Sequence, residues 1–599
     1  MTSTTNGVST IPPHVQPKPL SNRTESGGFA TTEGTLYVSK PFRSKSSKKM
    51  RSMITFAPRK SHFDTTNESS GANEFRGFFT LFWISLFLFS VQTYISSLEA
   101  NGYALSFAFA TMFSRDAVTL AFSDLILVLT TALCVPFAKL ISRGWIRYYW
   151  TGAIIQHIFQ AFVLFIAVTW TFNRQWPWVQ SGFLTLHSLV MIMKMHSYMS
   201  TNGYLQYVSH KSNQALGQLR HATAEAGGWD QALLDARSRF AELETASINL
   251  SDVDSVSNGG TTGNGTPAET EVESSGRMMK SFTTDPSTAD ALRKRLTVVS
   301  AETQSLLSVP PVNKERSNGM KVDAIVNDSA YQSSPALVLV HHPDERISSI
   351  AKEFSEMESE LVSSGPHHVR WPETITLRNF AIYQVIPTLV YELEYPRTDR
   401  IRPVYVFEKT VAFMGSFALL YTVTESFILP LTPTPDQSFF RSLLDLALPF
   451  MIAYLLLFYI IFECICNGFA ELSYFADRQF YDDWWNSTSW DEFSRKWNKP
   501  VHSFLLRHIY ASTLTSYGVS RTTAMFITFL FSAAAHELVM AVVTKKFRMY
   551  LFLLQLIQIP LILVSRVPAI KRNKLMGNVV FWLGLYAGFP LLCVAYVAY

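Results

Sequence analysis

Apolar residues along this chain gather into long blocks separated by polar stretches, rather than recurring at the spacing of a soluble core. Nine blocks approach the roughly 20 residues that a helix needs to cross a bilayer. They are 77–98, 117–138, 148–172, 179–197, 404–429, 441–466, 522–544, 548–566 and 576–598. The first, from Gly77 to Leu98, carries no charge, whereas Lys194 and two histidines interrupt the fourth. Backbone groups in hydrocarbon must find partners within their own segment, which selects helices over open sheet. The pattern predicts an all-α, multi-pass membrane protein with about nine transmembrane helices, in groups at 76–205 and 404–599.

The polar stretches divide the rest. Residues 1–75 are rich in Ser, Thr and Pro and read as a disordered basic tail without a cleavable signal-peptide pattern. Lys40, Arg43, Lys45, Lys48, Lys49, Arg51, Arg59 and Lys60 precede the first span and place the N-terminus in the cytosol. The net charge of +5 therefore reports topology rather than a nucleic-acid partner. Residues 206–342 are too polar to offset their ordering entropy and read as a disordered cytosolic insertion, with helical patches around 212–247 and 288–297. Within 343–403, Ile347, Ile350, Phe354, Met357 and Leu361 recur at helical spacing, and a proline-rich interfacial lead-in follows. Cys134, Cys464, Cys466 and Cys593 all fall in apolar blocks and suggest neither a disulfide framework nor a metal site.

Candidate chemistry concentrates in the last third. From Thr522 to Thr544, a stretch of 23 residues, the only ionisable side chains are His536 and Glu537. An ionisable pair inside a span is expensive and marks a functional site. Just upstream, 468–520 carries Tyr474, Phe475, Phe480, Tyr481, Trp484, Trp485, Trp490, Phe493, Trp497 and Phe504, too many rings for solvated coil. Such rings favour a membrane interface or a buried, polar-capped site.

The string Phe480-Tyr481-Asp482-Asp483-Trp484-Trp485-Asn486, followed by a His-Glu pair on a later span, resembles the membrane-bound O-acyltransferases. The longer run 475–489, Tyr395-Pro396-Arg397-Thr398-Asp399-Arg400-Ile401-Arg402 and Lys194-Met195-His196-Ser197-Tyr198 are similar to the sterol O-acyltransferase branch, in its fungal form. The likeness covers roughly 75–205 and 370–599. It implies transfer of a long-chain fatty acyl group from acyl-CoA to a sterol 3-hydroxyl in an intramembrane catalytic chamber. Acyl-CoA is then a co-substrate, with no permanently bound cofactor or metal. The family also implies a homodimer or higher oligomer in the endoplasmic reticulum membrane. Diacylglycerol is the rival acceptor.

Esterification requires a base for the hydroxyl proton, a donor for the thioester carbonyl and exclusion of water. Neutral imidazole suits the first task, and the resemblance makes His536 the catalytic base and Asn498 its partner. Trp497, Tyr481, Trp484, Trp485 and Asn486 are expected to shape the acyl-CoA site, with Asn486 as scaffold. Ser532 lies one turn before His536 on the same face, and Glu537, about 100° round the helix, is a candidate for substrate binding or for pairing with a neighbouring span. His502 is placed at the coenzyme A entrance. Arg521 heads the catalytic helix and, with Arg495, Lys496, Lys499 and Arg507, is a candidate for the phosphates. His157, Gln156, Gln160, His187 and Lys194 are further intramembrane polar groups, Lys194 being expected to snorkel. A transporter with His536 as proton relay would require repeated halves, and the sequence has none. Because the insertion adds little apolar surface, deleting most of 210–335 is expected to leave turnover largely intact, as a radiolabelled ester assay on membranes would measure.

Overall fold

The computed structural model describes residues 29–31, 34–36, 43–44, 49–50, 56–61, 63–64, 76–105, 108–254, 335–363, 367–434, 436–565 and 573–597. Among them strand pairing is limited to two short antiparallel ribbons, Phe29–Thr31 with Gly34–Leu36 and Arg43–Ser44 with Lys49–Met50, and to isolated bridges. The rest is helical. Seven helices or helix runs are long and apolar enough to cross a bilayer: Thr80–Asn101, Ala117–Ser142, Tyr148–Asn173, Pro403–Leu431, Phe439–Leu472, Arg521–Thr544 and Lys574–Val597. The expected nine spans thus become seven by length and composition among the described residues. The block at 548–566 yields a helix of only 16 residues, Tyr550–Ser565. The block at 179–197 belongs to a 48-residue helix, Trp178–Glu225, whose polar residues lower its hydropathy.

In chain order the first helices are α1 (Arg76–Asn101), α2 (Ala108–Ser114), α3 (Ala117–Thr131), α4 (Cys134–Ser142), α5 (Ala153–Asn173), α6 (Trp178–Glu225) and α7 (Trp229–Asp254). Next come α8 (Glu345–Leu361), α9 (Leu377–Val385), α10 (Pro403–Val423), α11 (Phe439–Phe458) and α12 (Asn467–Leu472). The last are α13 (Trp490–Lys496), α14 (Lys499–Phe504), α15 (Ser512–Tyr517), α16 (Arg521–Thr544), α17 (Tyr550–Ser565) and α18 (Lys574–Val597).

The central element is α6, against which α3, α4, α5, α8 and α16 pack. Its polarity is a consequence of that position: Gln180, Ser181, Thr185, Ser188, Ser197 and Asn202 are buried among neighbouring helices instead of facing lipid. Lys194 does not snorkel. It is buried, and its Nζ donates to the carbonyls of Tyr383, Gln384 and Ile386 at 2.8, 3.0 and 2.8 Å. The cation thus caps the C-terminal end of α9, where unpaired carbonyls concentrate negative partial charge.

At about 1.5 Å per residue, α6 is roughly 72 Å long and must leave the hydrocarbon. The boundary drawn at 205/206 therefore falls inside a continuous helix. Beyond it, Ala215, Leu219 and Ala222 form a second small core with Ala232, Ala236, Ala336, Leu339, Ile347, Ala351 and Phe354. Residues 206–242 and 335–342 are thus packed structure, so the deletion considered above has to spare them. The helical patch expected at 288–297, and the remainder of the insertion at 255–334, lie outside the described residues.

The tail is also more than a charge signal where it meets the core. Arg59 Nη2 pairs with Asp477 at 2.8 Å, and Arg59 N donates to the Ala476 carbonyl at 3.1 Å. Ser61 Oγ donates to Glu463 at 2.5 Å, Asp64 meets Arg402 at 3.3 Å, and Phe63 lies edge-on to Tyr459. Residues 56–61 and 63–64 therefore form a strap on the loop that follows α12. The same loop is bridged by Arg397 to Phe475 and by Thr398 N to the Tyr474 carbonyl, which explains the 395–402 string.

The aromatic loop folds as a ring cluster covered by α18. Trp497 stacks on Tyr454 at 4.7 Å and also packs against Phe458 and Trp484. Asn578 Nδ2 donates to the carbonyls of Trp485 and Ser487, and Trp582 Nε1 donates to that of Trp485. Two glycines seven residues apart let α18 approach this closely. A Cβ on Gly577 would lie 2.7 Å from the Thr488 carbonyl oxygen, and one on Gly584 would lie 2.7 Å from the Trp490 ring. Gly577→Ala is expected to destabilise the protein by about 1–3 kcal/mol, the usual penalty of overpacking. Gly588→Ala on the same helix, where nothing stands within 4 Å, is the control, read by thermal unfolding in detergent.

Candidate active site

A cavity of 3150 Å³ runs through the helical domain, well above the roughly 300–1,000 Å³ of ordinary ligand pockets. Its walls draw on α2, α5, α6, α10, α11, the loop 479–510, α16, α17 and α18. Near the loop it is lined by Asp482, Asp483, Glu492, Arg495, Lys496 and Lys499; elsewhere Phe109, Phe113, Trp178, Phe413 and Phe417 make it apolar. Such a chamber suits a charged, water-soluble carrier and two greasy groups better than a single small ligand.

His536, Ser532, Asn498, Trp497, His502 and Arg521 all line this cavity. They come from two elements that the sequence separates by a polar connection: α16 carries His536, and the turn into α14 carries Asn498. The segment Leu505–Ala511, which continues α14, packs directly on α16.

Local structure fixes the orientation of both polar groups. His536 Nδ1 lies 2.7 Å from the Ser532 carbonyl one turn earlier. A carbonyl only accepts, so Nδ1 carries the proton, and Nε2 keeps the lone pair that a general base requires. Asn498 is the N-cap of α14, its Oδ1 accepting from Val501 N at 3.1 Å. Pro500 follows within the first turn, where its missing N–H removes no helical bond. With the carbonyl end committed to the cap, the NH₂ end of Asn498 is left as a donor. The pair therefore presents a proton acceptor and a hydrogen-bond donor to one chamber.

Trp484 and Tyr481 are buried in the ring cluster, and neither they nor Trp485 and Asn486 line the cavity. Tyr481 OH donates to Glu463 at 3.1 Å, while Asn486 Nδ2 reaches Asp483 at 3.4 Å within a short 3₁₀ turn. Trp484 packs edge-on against Trp497 at 5.1 Å, and Tyr481 against Phe458 at 4.8 Å, so both support the floor under Trp497.

Of the two expectations for Glu537, its contacts are those of pairing with neighbouring helices. It is buried and faces away from the chamber, accepting from Met549 N at 2.8 Å and Phe552 N at 3.1 Å at the start of α17. Tyr596 OH of α18 donates to the same carboxylate at 2.9 and 2.8 Å. It is a three-helix clamp, as its 100° offset from His536 permits.

Among the basic candidates, Arg495 pairs with Asp491, Lys496 with Asp483 and Glu492, Lys499 with Asp482, and buried Arg507 with Glu392. Arg521 is exposed, lines the cavity and makes no ion pair among the described residues. Burial, and then the charge of Arg495, push the His502 imidazole down to about 4, so it is neutral at the chamber wall. Of the other polar groups, His157, Gln160 and His196 line the cavity, whereas His187 pairs with Asp124. Sequence reasoning missed Ser197 as a junction: its Oγ accepts from Tyr391 N and meets His508 Nε2, both at 2.8 Å. Its place in the 194–198 string was the available signal. Glu537→Ala is expected to lower thermal stability by at least about 1–3 kcal/mol through orphaned buried donors. Acyl-CoA affinity of the folded fraction should stay near wild type, as a ligand-binding assay would check.

Known proteins extend this geometry. Residues 281–598 match the model of MBOAT, the membrane-bound O-acyltransferase family. The chain is 30% identical to probable sterol O-acyltransferase 1 of Schizosaccharomyces pombe, over 91% of this chain and 86% of that protein. It is 30% identical to sterol O-acyltransferase 2 of Candida albicans, over 91% of this chain and 78% of that one. Diacylglycerol O-acyltransferase 1C of Glycine max is 35% identical, but over only 36% of this chain and 43% of its own length. A family match over more than half of the residues, and relatives aligned along most of their length, fit a membrane chamber lined by histidine and asparagine: the chain belongs to the membrane-bound O-acyltransferase family.

Proposed function

We propose that this acyltransferase moves a long-chain fatty acyl group from acyl-CoA to the 3-hydroxyl of a sterol, making steryl esters for storage. The observation that carries the acceptor is the near full-length similarity to proteins named sterol O-acyltransferases, against a partial one to a diacylglycerol enzyme. A large chamber that is apolar apart from a few polar groups supports it.

In this reading the sterol hydroxyl oxygen attacks the thioester carbonyl carbon while His536 Nε2 takes the hydroxyl proton. The NH₂ of Asn498 donates to the carbonyl oxygen as negative charge builds there. The tetrahedral intermediate collapses, the carbon–sulfur bond breaks, and the imidazolium returns its proton to the departing coenzyme A thiolate. Trp497, beside Asn498, shapes the acyl-CoA path; Ser532 holds the histidine tautomer through its carbonyl. Arg521 attracts the coenzyme A phosphates. The proposal extends to an endoplasmic reticulum membrane enzyme with a cytosolic N-terminus, acting as a homodimer or higher oligomer. Family membership and the positive flank of the first span support this part.

Labelled oleoyl-CoA with sterol or diacylglycerol, in membranes lacking both activities, tests the acceptor: steryl ester is expected, and triacylglycerol alone would overturn the reading. His536→Ala is expected to abolish ester formation while acyl-CoA still binds. Asn498→Ala should lose turnover by about 10²–10³, the usual effect of a missing oxyanion donor. Asn486→Ala should mainly lower the yield of folded protein. Turnover beside acyl-CoA affinity in the three variants checks the assignment, and an active Asn498→Ala enzyme would sink it.

A further inference from the structure

The turn between α4 and α5 joins two of the runs long enough to cross a bilayer, Ala117–Ser142 and Tyr148–Asn173, so it lies at a membrane edge. Its sequence is Arg143-Gly144-Trp145-Ile146-Arg147, followed by Tyr148-Tyr149-Trp150. A tight helix end fixes its path. Gly144, at φ +77°, donates from its N to the Ile141 carbonyl, and Trp145 N donates to that of Leu140. On the far side, the Arg147 carbonyl accepts from Gly152 N at 3.1 Å and from Thr151 Oγ1 at 3.2 Å. Tyr148 then anchors the turn on α6. Its ring lies so close to Gly203 that a Cβ there would come within 2.1 Å of it, and its OH donates to Gln156 at 2.9 Å.

This well-defined turn holds its largest side chains away from the rest of the protein. Trp145 and Trp150 are 75% and 78% exposed, and Tyr149, edge-on to Tyr207 of α6, is half exposed. Lys139 in the last turn of α4, Arg143 and Arg147 are exposed as well, and none of the three makes an ion pair among the described residues. The sequence supplies no local counter-charge either: from Leu125 to Ala224 there is no Asp or Glu. The dipole of α4 accounts for cations at its C-terminal end, Lys139 and Arg143. It does not account for Arg147, which stands at the start of the next helix, where a cation is unfavourable.

At a bilayer edge the surroundings of an exposed side chain are lipid headgroups. Indole rings settle at that level, and cations there are drawn to anionic lipid. We propose that this turn is a docking site for the headgroup of an anionic phospholipid. Lys139, Arg143 and Arg147 meet its negative charge, while Trp145 and Trp150 lie among the glycerol and upper acyl groups. Charge does the selecting, so phosphatidylserine and phosphatidylinositol serve alike and zwitterionic phosphatidylcholine does not. The interaction lies apart from acyl transfer and is independent of which alcohol is the acceptor.

Brominated lipids quench the tryptophans they touch, and the chain has 13. The test compares full-length protein with its Trp145→Phe/Trp150→Phe variant in vesicles of phosphatidylcholine and phosphatidylserine, bromine being placed on one lipid or the other. The difference between the two proteins reports the tryptophan pair. Brominated phosphatidylserine is expected to quench the pair with an apparent affinity at least about fivefold above that of brominated phosphatidylcholine. Arg143→Gln/Arg147→Gln should lower this preference by about fivefold or more. Raising salt from about 0.1 to 1 M, which shortens the screening length from about 10 to 3 Å, should lower it in the unaltered protein. Equal quenching by the two lipids in wild type would overturn the proposal. So would a preference that survives both arginine replacement and high salt. Absence of quenching by either lipid would place another protein chain, such as a second copy, over the turn and would also overturn it. Because the salt series uses unaltered protein, the outcome does not depend on the folding of the arginine variant.

Discussion

Two carboxylates, eight residues apart on the run from α11 into α12, hold the catalytic half together. Glu463 is fully buried and accepts from Lys409 at 2.8 Å, from Ser61, from Tyr481 and from Asn467. Glu471, also fully buried, accepts from the Arg402 backbone at 2.6 Å and pairs with the side chains of Arg402 and Arg478. A buried charge is tolerable only when its partners are complete. Each carboxylate thus forces α10, the loop after α12 and, through Ser61 and Asp64, the N-terminal strap into one arrangement. The ring cluster that positions Trp497 and Asn498 stands on that arrangement.

The legible part of this fold was what a single residue or short string can announce. His536 stood out because it is an ionisable group in an apolar span, and the aromatic loop because its rings are too many for solvent. The two carboxylates were not legible in this way. Glu463 and Glu471 sit at the polar end of an apolar block, and nothing local says that their partners lie up to 402 positions away. Glu537 was ambiguous for a related reason: its place beside His536 suited either substrate binding or helix pairing, and its direction on the helix was decided by α17 and α18. Lys194 resembled a snorkelling residue until the carbonyls of α9 appeared as its partners.

The number of spans depends on where hydropathy stops measuring what surrounds a helix. A helix wrapped by other helices can be as polar as α6 and still lie at membrane depth, since its buried serines, threonines and amides find protein partners. The insertion was misjudged in the opposite direction. Its flanks are polar and alanine-rich, and small apolar faces on α6, α7 and α8 suffice for a compact core once they pack together. In both places the deciding quantity was the company each helix keeps.

The strap has a consequence for how the protein is made. Arg59 and Asp477 are separated by 418 positions, so the first partner of this ion pair leaves the ribosome long before the second exists. At roughly 5–20 residues per second, synthesis of the intervening chain takes about 20–80 s. Throughout that interval Ser61 and Arg59 wait for partners while the intervening helices are made. The strap can dock only after Asp477 has been made, and α16 to α18, which complete the chamber walls, are made later still, so assembly of the chamber is a late event in biogenesis.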